Sequence, residues 1–154
     1  YGFDVHNTTR AETGDWRHAF TYGFDGFQDQ VTAWDSDTAS PTFGKPLISR
    51  QSVQNTLADM ARRIDVARVY SRNVIERQLA GETNLIAEVC FAKNTAVEAG
   101  EWVANQAVQL FGGMGYMAEC EIERQYRDMR ILGIGGGTTE IMTSLAAKTL
   151  GYQA

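Results

Sequence analysis

Two glycine-rich stretches carry the groups in this 154-residue chain best suited to ligand chemistry. The first is Gln109-Leu110-Phe111-Gly112-Gly113-Met114-Gly115-Tyr116. The second is Ile134-Gly135-Gly136-Gly137-Thr138-Thr139-Glu140-Ile141. Glycine lacks a Cβ, so its backbone can turn through positive φ and lie close to a ligand. The second stretch runs into a helix start, where Thr138 and Thr139 bring hydroxyls and outward-pointing N–H groups are expected. A helix N-terminus favours anions and electron-rich oxygens. The two stretches are therefore expected to form two walls of one site for a polar or phosphorylated ligand. Glycines after a helix also serve as ordinary C-caps, and that reading stands beside the functional one. Gly133, Gly135 and Thr138 do not complete a dinucleotide fingerprint, and no Gly-Lys-Ser/Thr phosphate loop is present.

Helices must position these stretches. Residues 51–78 place Val53, Leu57, Met60, Ile64, Ala67, Ser71 and Val74 on one stripe at steps of four and three, which predicts a helix with a mostly apolar face. Arg62, Arg63, Arg72, Glu76 and Arg77 fall mainly off it and read as solvated surface. Gly81 ends this helix, and Thr83 is the expected cap of the next. A second helix is predicted over about 84–111, with the stripe Ile86, Val89, Lys93, Ala96, Gly100, Val103, Ala107 and Leu110. Lys93 on that stripe needs a carboxylate or carbonyl partner, or a route to solvent along its stem. Residues 119–131 read as a short charged helix braced by Glu123–Arg127 and Arg124–Asp128. A last helix spans about 139–150 with Ile141, Leu145 and Ala146 inward. Short connections between such segments make an all-α, antiparallel four-helix bundle with an irregular N-terminal segment the expected fold.

Composition narrows the function classes. A net charge of −5 argues against a nucleic-acid binder, which would show a basic face. Cys90 and Cys120 have no metal-ligand spacing and read as reduced thiols. The two histidines sit near the N-terminus, so no metal site is expected. No apolar run approaches the roughly 20 residues of a membrane span, and no targeting segment is visible, which gives a cytoplasmic expectation.

Charge is uneven along the chain. Residues 1–41 hold Asp4, Glu12, Asp15, Asp25, Asp29, Asp35 and Asp37 against Arg10 and Arg17, so 2 − 7 = −5 carries the whole net charge. They contain no Leu, Ile, Met or Lys, yet 8 of the 16 aromatics. Phe20 to Gln28 shows a strand-like alternation, and 35–41 reads as loop. The break near Pro41 gives two expected parts: an atypical segment, 1–41, for which a non-native origin such as a frameshifted reading or a junction is a hypothesis, and a helical domain, 42–154.

From residue 42 onward the motifs resemble one family. Phe43-Gly-Lys-Pro-Leu, Gln51, Leu57-Ala-Asp-Met60, Ala92-Lys93, Gln109-Leu-Phe-Gly-Gly-Met-Gly-Tyr116, Glu123-Arg-Gln-Tyr-Arg-Asp-Met-Arg130 and Gly137-Thr-Thr-Glu-Ile141 are similar, in order and spacing, to the acyl-CoA dehydrogenase C-terminal domain. The resemblance covers 42–152. It implies a four-helix flavoprotein domain and FAD-dependent α,β-desaturation of an acyl-CoA thioester, in which a carboxylate takes the α-proton and the β-hydrogen leaves as hydride to FAD. It also implies electron transfer to an electron-transfer flavoprotein, dimers or tetramers, and, for a eukaryotic source, the mitochondrial matrix. Carried over by position, Gln109, Leu110, Phe111, Gly112 and Gly113 resemble FAD contacts made to a neighbouring subunit. Thr138, Thr139, Glu140 and Gln51 resemble further FAD contacts, and Gly137 a substrate-contacting position.

Three departures accompany the resemblance. The family's glutamate base before Gly-Thr is here Gly136, and glycine cannot take a proton. Members resembling the isovaleryl and long-chain type place the base on the preceding helix. In this chain that region falls within 1–41, where Glu12 is the sole glutamate and so the candidate base. An arginine three residues before Phe-Gly is here Ser40. The family's N-terminal and middle β domains have no counterpart in this sequence. Alternatives therefore stay open: a non-catalytic partner subunit supplying half of an FAD site, a flavin-dependent monooxygenase relative, and a purely structural helical domain.

Overall fold

A computed structural model describes residues 45–152 of the chain. The atypical segment, Phe43-Gly44, the candidate base Glu12 and Ser40 lie outside the described residues.

Four α-helices account for most of the described chain: α1 (Gln51–Leu79), α2 (Ile86–Phe111), α3 (Glu121–Leu132) and α4 (Thr139–Thr149). A 3-10 turn at Leu47–Ser49 precedes α1, and another at Gly112–Tyr116 follows α2 without a break. No strand element occurs among the described residues. The first predicted helix forms with the predicted face. Val53, Met60, Ile64, Ala67 and Val74 are its buried residues, and no glycine or proline interrupts its 29 residues.

The second helix differs in phase from its expectation. Ile86 and Val89 are exposed, while Ala87, Cys90, Val97, Ala99, Gly100 and Ala107 are buried. The reason lies in position: α2 is the central helix and makes substantial contacts with α1, α3 and α4. It needs two apolar faces, so a single-stripe reading averages them. The expected Thr83 cap is also absent. Leu85 occupies the N-cap without a side-chain bond, and the chain turns into α2 through Asn84 at φ 70°. Asparagine tolerates this left-handed region better than most residues. Arg77 braces the connection, bonding Glu82 at 2.5 Å and Glu88 at 3.3 Å.

Two buried clusters hold the helices. Val53, Met60, Ala107 and Ile122 join the first half of α1, the last turns of α2 and the start of α3. Met60 is fully buried there. Ala87, Cys90 and Ala146, with Met142 packed against them, join the start of α2 to α4. The small side chains let α4 approach closely. Of the three residues expected inward on α4, Ala146 is buried, but Ile141 and Leu145 are exposed.

Along α2 the groups facing α3 and α4 fall on one stripe: Ala87, Cys90, Asn94, Val97 and Glu101, at steps of three and four. Asn94 meets the start of α4, and Glu101 meets the end of α3. Thus α3 and α4 lie end to end, each antiparallel to α2, with residues 133–138 turning between them. This corner positions the second glycine stretch.

Candidate functional site

The corner is built from its glycines and held from α2. Gly136 and Gly137 have φ of 65° and 99°, a conformation open mainly to glycine. Lys93 Nζ donates to Gly137 O at 2.6 Å. Asn94 Nδ2 donates to Thr139 O and to Thr143 Oγ1, each at 3.1 Å. The expectation for Lys93 resolves toward the carbonyl partner. Asn94 was not singled out by the sequence; a polar residue beside a lysine on a helix carries no signal of what it meets 45 residues later.

At the start of α4, Thr138 acts as the N-cap, its Oγ1 accepting from Ile141 N at 3.3 Å. Thr139 N donates to Gly133 O, and Met142 N to Thr138 O. The Glu140 carboxyl is held below the usual glutamate range first by its own backbone N–H, then by the Thr138 hydroxyl, with Arg130 and Lys93 adding attraction. The expected outward-pointing N–H groups are therefore engaged from within the chain, because Glu140 supplies the negative charge that a helix start attracts. An incoming anion would have to displace that carboxylate. The surface offered instead is rich in acceptors, with an exposed carboxylate and two threonine hydroxyls.

The first glycine stretch stands elsewhere. Gln109, Gly112 and Gly113 are exposed at the end of α2, and Leu110 and Phe111 are half-buried. A Cβ at Gly112 or Gly113 would meet nothing within 4 Å, so packing does not require glycine at either site. At Gly112 the backbone does, with φ 59° and ψ −142°. Gly115 differs: its Cβ would lie 2.8 Å from Phe111 Cβ and from Val108 O. From Lys93, which anchors the second stretch, to Phe111 is 111 − 93 = 18 residues of continuous α2, or roughly 27 Å at 1.5 Å per residue. The two stretches are therefore not two walls of one site within a single chain. Gln51, exposed at the first turn of α1, lies toward the end of α2 that carries the first stretch, since Val53 shares a buried cluster with Ala107 and packs near Leu110 and Phe111.

An open groove of about 730 Å³ runs between α2, α3 and the 112–116 turn. Glu101, Asn105, Tyr126, Arg127 and Arg130 line it together with Gly115 and Tyr116 from the end of the first stretch, but none of the residues expected to contact FAD or substrate does. The charged residues of α3 do brace that helix, with Arg127–Glu123 at 3.0 Å and Arg124–Asp128 at 3.6 Å. Arg130 instead reaches Glu101 across the helix pair at 2.7 Å. No group of His, Cys, Asp and Glu suited to a metal ion occurs among the described residues. None of the described helices is long and apolar enough to cross a membrane.

The described residues form an antiparallel helical bundle with exposed glycine backbone after α2 and before α4. The chain belongs to the acyl-CoA dehydrogenase family: residues 30–151 match the model of the acyl-CoA dehydrogenase C-terminal domain. A Mycobacterium smegmatis structure assigned to the acyl-CoA dehydrogenases is 77% identical, with a TM-score of 0.75 over 88% of this chain and 36% of that one. Butyryl-CoA dehydrogenase from Megasphaera elsdenii is 28% identical, with a TM-score of 0.74 over 86% of this chain and 33% of that one. The human mitochondrial short-chain specific acyl-CoA dehydrogenase is 40% identical over 105 residues, 68% of this chain and 25% of its own. The chain thus spans about a quarter to a third of these relatives' lengths. The family is FAD-dependent. Open space stands where a Cβ would lie at Gly112, Gly113 and Gly136; positive φ accounts for glycine at Gly112 and Gly136, and of the three Gly113 alone has neither a packing nor a backbone reason to be glycine.

Proposed function

We propose that this chain supplies the C-terminal helical part of an FAD-dependent acyl-CoA dehydrogenase, acting in α,β-dehydrogenation of an acyl-CoA thioester as a fragment of, or subunit for, a larger enzyme. The observation that carries the reading is the exposed glycine backbone at Gly112 and Gly113 and the pinned loop at 137–140, roughly 27 Å apart along α2, in a chain of this family. Gln109, Leu110, Phe111, Gly112 and Gly113 would hold one part of FAD. Gln51, at the same end of the bundle, would join them; Thr138, Thr139 and Glu140 would hold another part, and Gly137 would face the substrate. The flavin supplies a two-electron acceptor when bound; the protein binds, orients and desolvates.

The separation of the stretches supports an oligomer. Segments roughly 27 Å apart on a rigid helix serve one FAD only if a second copy, or a companion chain, brings its own end of α2 to the site. The acceptor-rich start of α4 suits hydroxyl or amino groups of a nucleotide better than a diphosphate, because Glu140 already fills the anion position. Gly136 has no proton-accepting group, so the base must come from elsewhere. Glu12 is this reading's candidate, and electron-transfer flavoprotein its electron acceptor.

Gly136 also favours a second reading, a non-catalytic partner that contributes half of an FAD site to a complete dehydrogenase subunit. The test begins with the visible spectrum of the purified chain after addition of FAD and removal of the excess. A retained flavin band that bleaches with acyl-CoA supports the enzyme reading, and Glu12→Gln should then abolish bleaching. A retained band without bleaching, and co-purification with a larger flavoprotein, supports the partner reading. No flavin retained alone or with a complete dehydrogenase subunit sinks both.

A further inference from the structure

The corner between α3 and α4 poses a stability problem of its own. Two successive glycines with positive φ lose more conformational freedom on folding than any other pair would. The backbone bonds bracket the glycines without engaging Gly137 O: Ile134 N and Gly135 N donate to Ile131 O, and Thr139 N reaches across the turn to Gly133 O. A Cβ at Gly136 would meet nothing, so packing does not fix that residue either. What crosses to the corner is a pair of adjacent side chains from α2. Lys93 takes Gly137 O, and Asn94 takes Thr139 O and Thr143 Oγ1.

We propose that Lys93 and Asn94 are positioning residues, a two-point clamp that holds the Gly136–Gly137 turn and the start of α4 in one shape, ready for the nucleotide and thioester of the reading above. The inference rests on that reading for its ligand but not for its mechanics. A lysine that merely snorkels sends its ammonium to water. This one places it on a main-chain carbonyl 44 residues away, and a bond to a charged donor is stronger than a neutral one. The ammonium also draws electron density through the Gly137–Thr138 peptide, which strengthens Thr138 N–H as a donor to a ligand oxygen. Asn94 adds direction: its amide spans Thr139 and Thr143, one turn apart, and so fixes the rotation of α4 about its own axis. Its Oδ1 is buried without a protein partner, which is consistent with a side chain oriented by its two donated bonds.

The test compares wild-type chain with Lys93→Met, Lys93→Arg and Asn94→Ala by amide hydrogen exchange, with FAD affinity measured in parallel by flavin fluorescence. Lys93→Met keeps the stem and removes the donor. Exchange at the hydrogen-bonded amides of Thr139, Ile141 and Met142 should rise at least tenfold while α1 keeps its protection, and FAD affinity should fall about tenfold. Lys93→Arg can still donate to the carbonyl and should recover most of both. Asn94→Ala should speed exchange in the first turn of α4 in the same local way. Wild-type exchange at Thr139, Ile141 and Met142 in Lys93→Met would overturn the clamp, as would loss of protection spread equally through α1. If wild-type chain binds no FAD, either alone or with a complete dehydrogenase subunit, the cofactor reading falls, while the exchange contrast still decides the clamp.

Discussion

Gly113 and Gly115 lie two residues apart in the same 3-10 turn, yet the structure assigns them opposite reasons for being glycine. Gly115 is buried against the last turn of α2. An alanine methyl there would sit 2.8 Å from Val108 O and 3.1 Å from Val108 Cα, and a helix backbone cannot step aside. Forcing a methyl into such contact costs about 1–3 kcal/mol. In a chain of about 150 residues that lowers Tm by roughly 3–10 °C. Gly113 is exposed with open space around its missing Cβ, and it is not among the positive-φ residues. Alanine there restricts the unfolded chain and should stabilise by about 0.4–1 kcal/mol. The two variants therefore move Tm in opposite directions by differential scanning calorimetry. FAD titration supplies the second axis. Gly113→Ala should weaken flavin binding in a protein more stable than wild type, because the added methyl occupies the space a ligand would use. Equal flavin affinity for Gly113→Ala and wild type would refute the assignment of Gly113 to the cofactor. A Gly115→Ala protein as stable as wild type would refute the packing argument.

Three further outcomes follow from the packing and the helix ends. Met60→Ala empties a fully buried position between α1, α2 and α3 and should cost about 2–5 kcal/mol by urea unfolding. Thr138→Ala removes the N-cap of α4 and should cost about 0.5–2 kcal/mol, with the loss concentrated in α4 by hydrogen exchange. Asp59, Glu82, Glu121, Glu123 and Glu140 are all held below their ordinary values, each chiefly by a hydrogen bond made in the folded chain. Carboxyls lowered on folding stabilise above their unfolded values, about 4, and lose that contribution as pH falls through the folded ones. Stability by urea unfolding should therefore be flat from pH 7 to 5.5 and decline below about 4.5; a maximum at pH 3 would contradict the ion-pair assignments.

The helices were legible in the sequence where one face alone is buried. The 53–74 stripe of α1 satisfies a single partner, so its period shows. The stripe of α2 was misread because α2 serves partners on two faces, and two apolar faces on one helix blur the period. The α4 face was misread for a related reason. Its contact with α2 rests on small residues such as Ala146, while larger Ile141 and Leu145 point outward. The residues of the candidate site were visible as types, since glycines and threonines beside a helix start are conspicuous. Their separation was not visible, because it depends on where α4 docks along α2. The Lys93 and Asn94 partners share that limit: 44 and 45 residues of chain lie between the bonded groups. The Glu140 self-cap was missed although its signal was present, a carboxylate in the first turn beside a threonine cap.

The central place of α2 has a mechanical consequence. Its contacts to α1, α3 and α4 are the substantial ones between helices, so the neighbours communicate mainly through a shared axle rather than with each other. Perturbations in the α1–α2 seam and in the α2–α4 seam should then combine additively, as distant, unshared sites do. Lys93 and Asn94 are the two grips by which this axle holds the corner, so the start of α4 takes its place from α2.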